Sequence, residues 1–212
     1  MANRILFADR AEAGGKLAER LTPWLGQDCV VLALPRGGVP VALPVARMLG
    51  APLDLLFVRK IGAPGFPEFA IGAVVDGADP QVVLNEGMSH RIPQGYLETE
   101  VPRLLAEIDR RRKAYRGDRP PVPVAGRTAI VVDDGVATGA TMLAGLQGLA
   151  RQNPARIIVA VPVGARDALD RLRGIADQIL CLECPHPFRA VGLHYRDFDQ
   201  VGDAEVIAAL AG

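Results

Sequence analysis

Short apolar runs rich in Val, Ile and Leu recur along the chain, and they constrain its fold more than any other feature. Four of them span residues 29–34, 53–58, 128–132 and 156–161. Runs of this length without polar alternation are typical of strands that are buried on both faces of a sheet. Segments of helical length, residues 39–49 and 140–151, separate the two members of each pair. Such strand–helix–strand units predict parallel pairing through right-handed crossovers.

The predicted fold class is therefore α/β: one domain over residues 1–212 in which helices flank a parallel sheet with a Rossmann-like core. The remaining elements are a strand at 178–182, a short helix at 166–172, a terminal helix at 203–210 and a hairpin formed by 71–75 and 82–84. In open sheets of this class, ligands bind beyond the carboxyl ends of the strands. We therefore expect the functional residues in the loops that follow the strands.

One segment, residues 85–127, departs from this rhythm and is predicted to be a helical insertion. Its apolar residues recur at helical spacing: Leu97, Val101, Leu104, Leu105 and Ile108. The spacing predicts one long amphipathic helix, which a Pro-rich stretch at 119–123 ends. The run Arg110, Arg111 and Arg112 is typical of a solvated helix end that complements the dipole, with a phosphate contact as the alternative.

The charges of the chain balance, with 24 basic and 24 acidic side chains. No global field therefore gathers the phosphates of a nucleic acid or the anionic surface of a membrane. No uninterrupted apolar stretch reaches the roughly 18 residues of a membrane span, and the N-terminal segment lacks the apolar core and cleavage site of a secretion signal. We expect a cytoplasmic protein that binds neither nucleic acid nor membrane.

The three cysteines, Cys29, Cys181 and Cys184, are too few and too unevenly spaced for a disulfide framework. Cys181 and Cys184 form a CxxC, and with His186 and His194 they allow a four-ligand zinc site to be drawn. The CxxC overlaps an apolar run and no second CxxC accompanies it. We favour reduced packing thiols over a zinc site.

The strongest functional signal is the stretch TAIVVDDGVATGATM, residues 128–142. An apolar strand runs into two aspartates, then into small and hydroxylated residues, and then a helix starts. Small residues let backbone amides approach an anion closely, and the helix N-terminus adds donors and partial positive charge. The predicted phosphomonoester site consists of Gly135, Val136, Ala137, Thr138, Gly139, Ala140 and Thr141. It is not a P-loop, because no GK[ST] follows.

The two carboxylates, Asp133 and Asp134, would repel a phosphate if both faced it. Their presence is explained if they face sugar hydroxyls or hydrated Mg²⁺, because carboxylate oxygens accept hydrogen bonds and suit hard cations. We predict that both hold Mg²⁺, directly or through water. The implied ligand is a sugar phosphate with a metal ion.

The stretch VVDDGVATGAT resembles, nearly residue for residue, the motif with which type I phosphoribosyltransferases bind 5-phosphoribosyl-1-pyrophosphate (PRPP). The opening FADRAEAGGKL and the ending FRAVGLHYRDFDQV are similar to a bacterial subfamily whose substrates are not generally assigned. The resemblance implies an enzyme of nucleotide salvage that binds Mg·PRPP, transfers the phosphoribosyl group to a nitrogenous base and releases pyrophosphate. It assigns catalytic roles to Asp133, Asp134, Arg59 and Lys60. Similar proteins commonly form dimers, so a homodimer is among the expected partners.

The resemblance also implies two loops around the pyrophosphate. One follows the first strand, where Arg36 offers a forked donor and Gly37 and Gly38 allow close approach. The other is a flexible cover at residues 61–69, preceded by the pyrophosphate contacts Arg59 and Lys60, whose closure excludes water. Residues 161–165 are expected to form a wall without a catalytic role.

The residues that bind the acceptor base are the part of the site that the sequence specifies least. The resemblance implies a hood over the base, here residues 183–212, in which Phe188, His194 and Tyr195 are candidates for stacking, with core packing an equal alternative. A non-catalytic PRPP- or nucleotide-sensing protein is the second functional hypothesis. A Mg²⁺-dependent hydrolase that uses the Asp pair is disfavoured, because no DxDxT/V nucleophile loop is present.

Overall fold

A five-stranded parallel sheet in the order β2-β1-β6-β7-β8 forms the centre of the fold. The computed structural model describes residues 5–76, 80–84, 87–88 and 92–211, with the backbone alone at residues 67 and 68. The strands of this sheet are β1 (Cys29–Ala33), β2 (Leu53–Leu55), β6 (Thr128–Val132), β7 (Arg156–Val163) and β8 (Gln178–Glu183). The α/β fold class and the parallel sheet that were predicted are confirmed.

In the described part of the chain, six helices pack around the sheets: α1 (Arg10–Arg20), α2 (Gly38–Leu49), α3 (Tyr96–Arg116), α4 (Ala140–Ala150), α5 (Arg166–Leu172) and α6 (Asp203–Ala211). Successive side chains of a strand point to opposite faces, so each fully apolar strand serves two cores. Val31 and Ala33 of β1 belong to the core that includes α1, α2, α3 and α6. Val30 and Leu32 belong to the core that includes α4 and α5. None of the helices in the described part is long and apolar enough to span a bilayer.

A second, antiparallel sheet consists of β3 (Val58–Ala63), β4 (Phe66–Val75) and β5 (Gln81–Leu84). The predicted hairpin is its β4–β5 pair, with Val75 opposite Gln81, and its turn at 77–79 lies outside the described residues. The single strand predicted over 53–58 is wrong. The Leu56 amide continues the ladder to the Ala33 carbonyl, whereas the Phe57 carbonyl already accepts from Asp76. The chain changes sheets at these two residues.

Residues 61–69, where a flexible cover was expected, lie in a β-hairpin of β3 and β4. Ile61 is fully buried, which anchors β3, and Gly65 at φ 75° forms the turn into β4. The predicted amphipathic helix within 85–127 is α3, and it buries Leu104 and Ile108.

Helix α3 is anchored at its C-terminal end by a buried ion pair between Arg116 and Asp54 of β2. Arg116 also donates to the Leu55 carbonyl, and Asp54 accepts from the Val122 amide. Two charges buried together with hydrogen bonds to the backbone fix one geometry, because either charge alone is costly in the interior. The pair sets the position of α3 relative to the edge of the sheet.

Candidate functional site

The loops that follow β1 and β6 lie side by side at the carboxyl edge of the sheet. Ala33 pairs with Val132 at the ends of the two strands, and the Leu34 amide donates to the Val132 carbonyl at 2.9 Å. Gly38 allows this approach, since a Cβ there would lie 2.7 Å from the Val132 carbonyl oxygen. A Cβ on Gly37 would overlap the Asp134 carboxylate. These two glycines therefore have a packing role.

The loop after β6 encloses a cavity of about 150 Å³. It is lined by Asp133, Gly135 to Met142, and Val191. Gly139, at φ 74°, turns the chain into α4. The first amides of a helix have no acceptor within the helix, so they are available to an anion in this cavity. Val191 was not identified from the sequence, because it comes from a 3₁₀ turn (Val191–His194) that only the tertiary fold brings here.

Within this loop the amide and the carbonyl of Val136 already form hydrogen bonds with the backbone. Its amide donates to the Val163 carbonyl at 2.9 Å, and its carbonyl accepts from the Ala165 amide at 2.8 Å. The predicted use of the Val136 amide for phosphate is therefore wrong: this residue fixes the loop against the end of β7. The Thr138 carbonyl is held by the Arg171 side chain at 2.7 Å. The remaining candidates for anion contacts run from Ala137 to Thr141.

The two aspartates point in different directions. Asp133 lines the cavity described above, and its Oδ1 accepts from the Asp134 amide at 2.8 Å. Asp134 turns to Arg10, whose Nε donates to Asp134 Oδ2 at 2.9 Å. The Arg10 guanidinium also stacks on the Phe198 ring, 3.7 Å from its centre. Tyr195 donates to the Asp134 carbonyl at 2.6 Å.

Burial raises the pKa of both carboxyls. The pKa of Asp133 is raised well above its usual value, first by burial and then by the negative charge of Asp134. The pKa of Asp134 is raised by burial, and the hydrogen bond and positive charge of Arg10 oppose this shift. The positive charge of Arg10 also opposes the shift of the Asp133 pKa.

A second cavity of about 250 Å³ also borders Asp133. Its lining residues are Leu34, Pro35, Leu56, Phe57, Val58, Arg59, Arg111, Asp133 and Thr141. Asp133 and Thr141 thus belong to both cavities. Arg59 Nη2 lies 2.9 Å from Glu107 Oε1, and Arg111 Nη2 lies 3.4 Å from the same oxygen. Burial, and then the charge of Arg111, lower the pKa of Arg59.

Among the predicted pyrophosphate contacts, the side chains of Arg36 and Lys60 do not line this cavity. Lys60 is exposed. Arg36 follows a cis peptide bond with Pro35, and its Nη1 pairs with Asp203 Oδ1 of α6 at 3.2 Å. Tyr115 donates to the same Asp203 oxygen at 2.7 Å.

Arg111 was interpreted from the sequence as part of a solvated helix end, with a phosphate contact as the alternative. Its side chain is 40% exposed and also lines the second cavity. The i,i+4 spacing of Glu107 and Arg111 predicts only an ion pair on the surface of the helix. The packing of α3 against β3 brings Arg59 to Glu107, and Arg59 and Arg111 line a cavity together with Asp133. This placement required the tertiary structure.

The aromatic candidates for base stacking are mostly interior. His194 and Tyr195 are 3% and 4% exposed. Tyr195 packs between Phe7 and Phe198, and His194 packs on half-buried Phe188. For His194 and Tyr195, the structure therefore shows core packing, which was the alternative to base stacking.

Cys181 and Cys184 are reduced, with their sulfurs 3.7 Å apart, and Cys184 is exposed. Within the described ranges, no three His, Cys, Asp or Glu residues are grouped so as to hold a metal ion. The two thiols therefore lie together, and the described residues around them do not form a set of metal ligands.

Residues 9–197 match the family described as the phosphoribosyl transferase domain. The chain belongs to this family. Two curated proteins from two strains of Mycobacterium tuberculosis, provisionally named phosphoribosyl transferases, are 44% identical to it over 207 residues. The alignment covers 97% of this phosphoribosyl transferase domain but 46% of those relatives, so the chain spans about half of their length.

A solved structure is similar to this chain over nearly its whole length. A crystal structure of a protein from Thermus thermophilus is 47% identical, with a TM-score of 0.85 and 97% of each chain covered. The phosphoribosyl transferase domain described here therefore shares its fold with that protein over nearly its whole length.

Proposed function

We propose that the protein binds Mg·PRPP and transfers its phosphoribosyl group to a nitrogenous base, releasing pyrophosphate. The observation that carries this proposal is that Asp133 is shared by two cavities of different chemistry. One contains small residues and the start of α4, which suits a phosphomonoester. The other contains Arg59 and Arg111, which suit a diphosphate. PRPP has these two groups at opposite ends of one ribose.

In this arrangement Ala137 to Thr141 hold the 5′-phosphate and Asp133 accepts from the ribose hydroxyls. Asp134 is held by Arg10 and keeps the start of the loop in place. The sugar is thus fixed at both ends, with C1 facing the second cavity. Fixing the reacting carbon in this way lowers the entropic part of the barrier.

The donor set fits Mg²⁺. This ion keeps several waters and is commonly held through one or two carboxylates together with ligand phosphates, so a grouping of three protein ligands is not needed. Asp133 would hold it, and Asp134 lies next in the chain. When bound, Mg²⁺ supplies positive charge for the pyrophosphate oxygens.

Transfer breaks the bond between C1 and the pyrophosphate oxygen and forms a bond between C1 and the base nitrogen. Pyrophosphate leaves with the bonding electrons, and the nitrogen releases its proton to solvent. Positive charge develops at C1 and negative charge on the leaving group. In this proposal Arg59, which lines the second cavity, stabilises that negative charge.

A base screen tests this function. The protein is incubated with Mg·PRPP and a panel of purines, pyrimidines and other amines, and released pyrophosphate is measured. We expect release with at least one acceptor and none without. Calorimetry with Mg·PRPP alone accompanies the screen, and a protein that binds no PRPP would refute the site.

The second candidate is a PRPP-sensing protein without turnover. The observation that favours it is the burial of His194 and Tyr195, which leaves neither ring for an acceptor base. Tight PRPP binding without pyrophosphate release across the whole panel would identify this function.

A further inference from the structure

Arg111 reaches the second cavity from a different direction than the loops that surround it. Arg59 lies on β3 and Asp133 follows β6, whereas Arg111 lies on α3. Helix α3 is held to β2 by the buried pair of Arg116 and Asp54, five residues further along the chain. The backbone that carries Arg111 is therefore fixed while its side chain faces the cavity.

Arg111 shares its ion-pair partner with Arg59. Both guanidinium groups contact the same oxygen of Glu107. The Arg111 contact is the longer one, at 3.4 Å, and its side chain is 40% exposed. Half-exposed pairs of this kind contribute little stability, so Arg111 can exchange Glu107 for a ligand anion at small cost. Arg59, at 2.9 Å and 27% exposed, is held more firmly.

The position of Arg111 relative to Asp133 decides which part of a ligand it meets. A ligand with its phosphomonoester at the start of α4 and its ribose at Asp133 has its C1 substituent in the second cavity. That cavity holds both arginines. A planar guanidinium binds two oxygens of a phosphate in parallel, which an ammonium group does not.

We infer that Arg111 is a ligand-binding residue that contacts the diphosphate group of PRPP, and that α3 thereby supplies part of the leaving-group site. This inference rests on the proposed function. It adds a diphosphate contact from helix α3 to the contacts expected from the loops that follow the strands. Arg111 and Arg59 bind the diphosphate together, and Glu107 holds both side chains when the ligand is absent.

The test compares two neighbouring arginines of the same helix. Arg111→Ala and Arg110→Ala remove the same charge from adjacent positions, but Arg110 is exposed and does not line the cavity. Calorimetry measures the affinity of each variant for Mg·PRPP, for Mg-pyrophosphate and for ribose 5-phosphate. Circular dichroism verifies that each variant is folded, and Arg111→Lys serves as a second variant that keeps the charge.

We expect Arg111→Ala to weaken Mg·PRPP and Mg-pyrophosphate by about 10- to 100-fold, the loss of a charge-assisted contact. Ribose 5-phosphate affinity stays at the wild-type value, and Arg110→Ala binds all three ligands normally. Arg111→Lys recovers only part of the loss, because it cannot form the paired contact.

Equal PRPP affinity of Arg111→Ala and Arg110→Ala overturns the inference and leaves the proposed function standing. A loss that extends equally to ribose 5-phosphate also overturns it, because the effect is then on the whole site. Wild-type protein that binds ribose 5-phosphate but neither diphosphate ligand overturns the inference and the proposed function together.

Discussion

Arg10 and Asp134 are separated by 124 residues in the sequence, and the Arg10 Nε donates to Asp134 Oδ2 at 2.9 Å. The side chains of the pair are 12% and 14% exposed. Helix α1 thereby holds the second of two adjacent aspartates, while the first lines both cavities. Two residues that are identical and adjacent in the sequence have different surroundings, and their substitutions should have different effects.

Asp133→Asn is expected to abolish most Mg·PRPP binding with little change in stability. The amide removes the charge that faces the ribose and the metal but keeps the shape of the side chain. The affinity for Mg·PRPP should fall by about 10-fold or more, as expected for losing a charged hydrogen-bond acceptor. Calorimetry measures this loss.

Asp134→Asn is the matched control, and we expect it to act mainly on stability. It leaves the partly buried Arg10 without its carboxylate, at a cost of about 2 kcal/mol in the free energy of unfolding. Denaturant unfolding measures that cost. Equal losses of PRPP affinity in the two single variants would contradict the different roles given to the aspartates.

Ala137→Glu should weaken the binding of ribose 5-phosphate. Ala137 is exposed and lines the first cavity, so a carboxylate there repels a phosphomonoester. We expect a loss of about 10-fold, since one charged contact of about 1.4 kcal/mol corresponds to this factor. Ala150→Glu, at the exposed far end of α4, adds the same charge and should bind normally. Isothermal titration with ribose 5-phosphate measures both.

Gly38→Ala should destabilise the protein by about 1–3 kcal/mol, the usual cost of overpacking. The new Cβ would lie 2.7 Å from the Val132 carbonyl oxygen, which pushes the loop after β1 away from β6. Gly15→Ala in α1 is the control, because no atom lies within 4 Å of its new Cβ. The helix propensity of Ala should stabilise that variant slightly. Thermal unfolding compares the two.

Arg116→Ala should cost about 3–5 kcal/mol, because Asp54 is left as a buried charge without its partner. The exposed pair of Arg173 and Asp170 provides the comparison. Arg173→Ala should change the free energy of unfolding by less than about 1 kcal/mol. Chemical denaturation of both variants measures the difference, and equal values would refute the importance of burial for the first pair.

Thiol labelling should modify Cys184 first and Cys29 last. Cys184 is exposed, whereas Cys29 is 1% exposed within β1. Burial and the neighbouring Cys184 raise the pKa of Cys181, which leaves little thiolate to react. Mass spectrometry of a timed reaction with iodoacetamide gives the order. Rapid modification of Cys29 in native protein would contradict its burial.

The parallel sheet was predictable because β1 and β6 are apolar at every position except Thr128, which is typical of strands covered on both faces. The position of Asp133 and Asp134 followed from the same pattern, since they come directly after β6. The change of sheets at Leu56 and Phe57 was not predictable. Both residues are apolar and continue the run, and only their hydrogen bonds to Ala33 and Asp76 separate two strands.

The details of the site were harder to predict for a related reason. The pairing of Val136 with Val163 and the presence of Val191 depend on contacts between distant parts of the chain. Gly37 and Gly38 suggested close approach to a ligand, yet the atoms that approach them belong to Asp134 and Val132. A local motif shows that space is needed but does not show what fills it.

Asp133 and Thr141 border both cavities, and this limits how the site can be altered by evolution or by design. A change at either position affects the sugar end and the leaving-group end at once, so neither can tune one affinity alone. Val191 and Arg59 each border a single cavity. Variation that separates the two affinities is therefore expected to accumulate at such unshared positions.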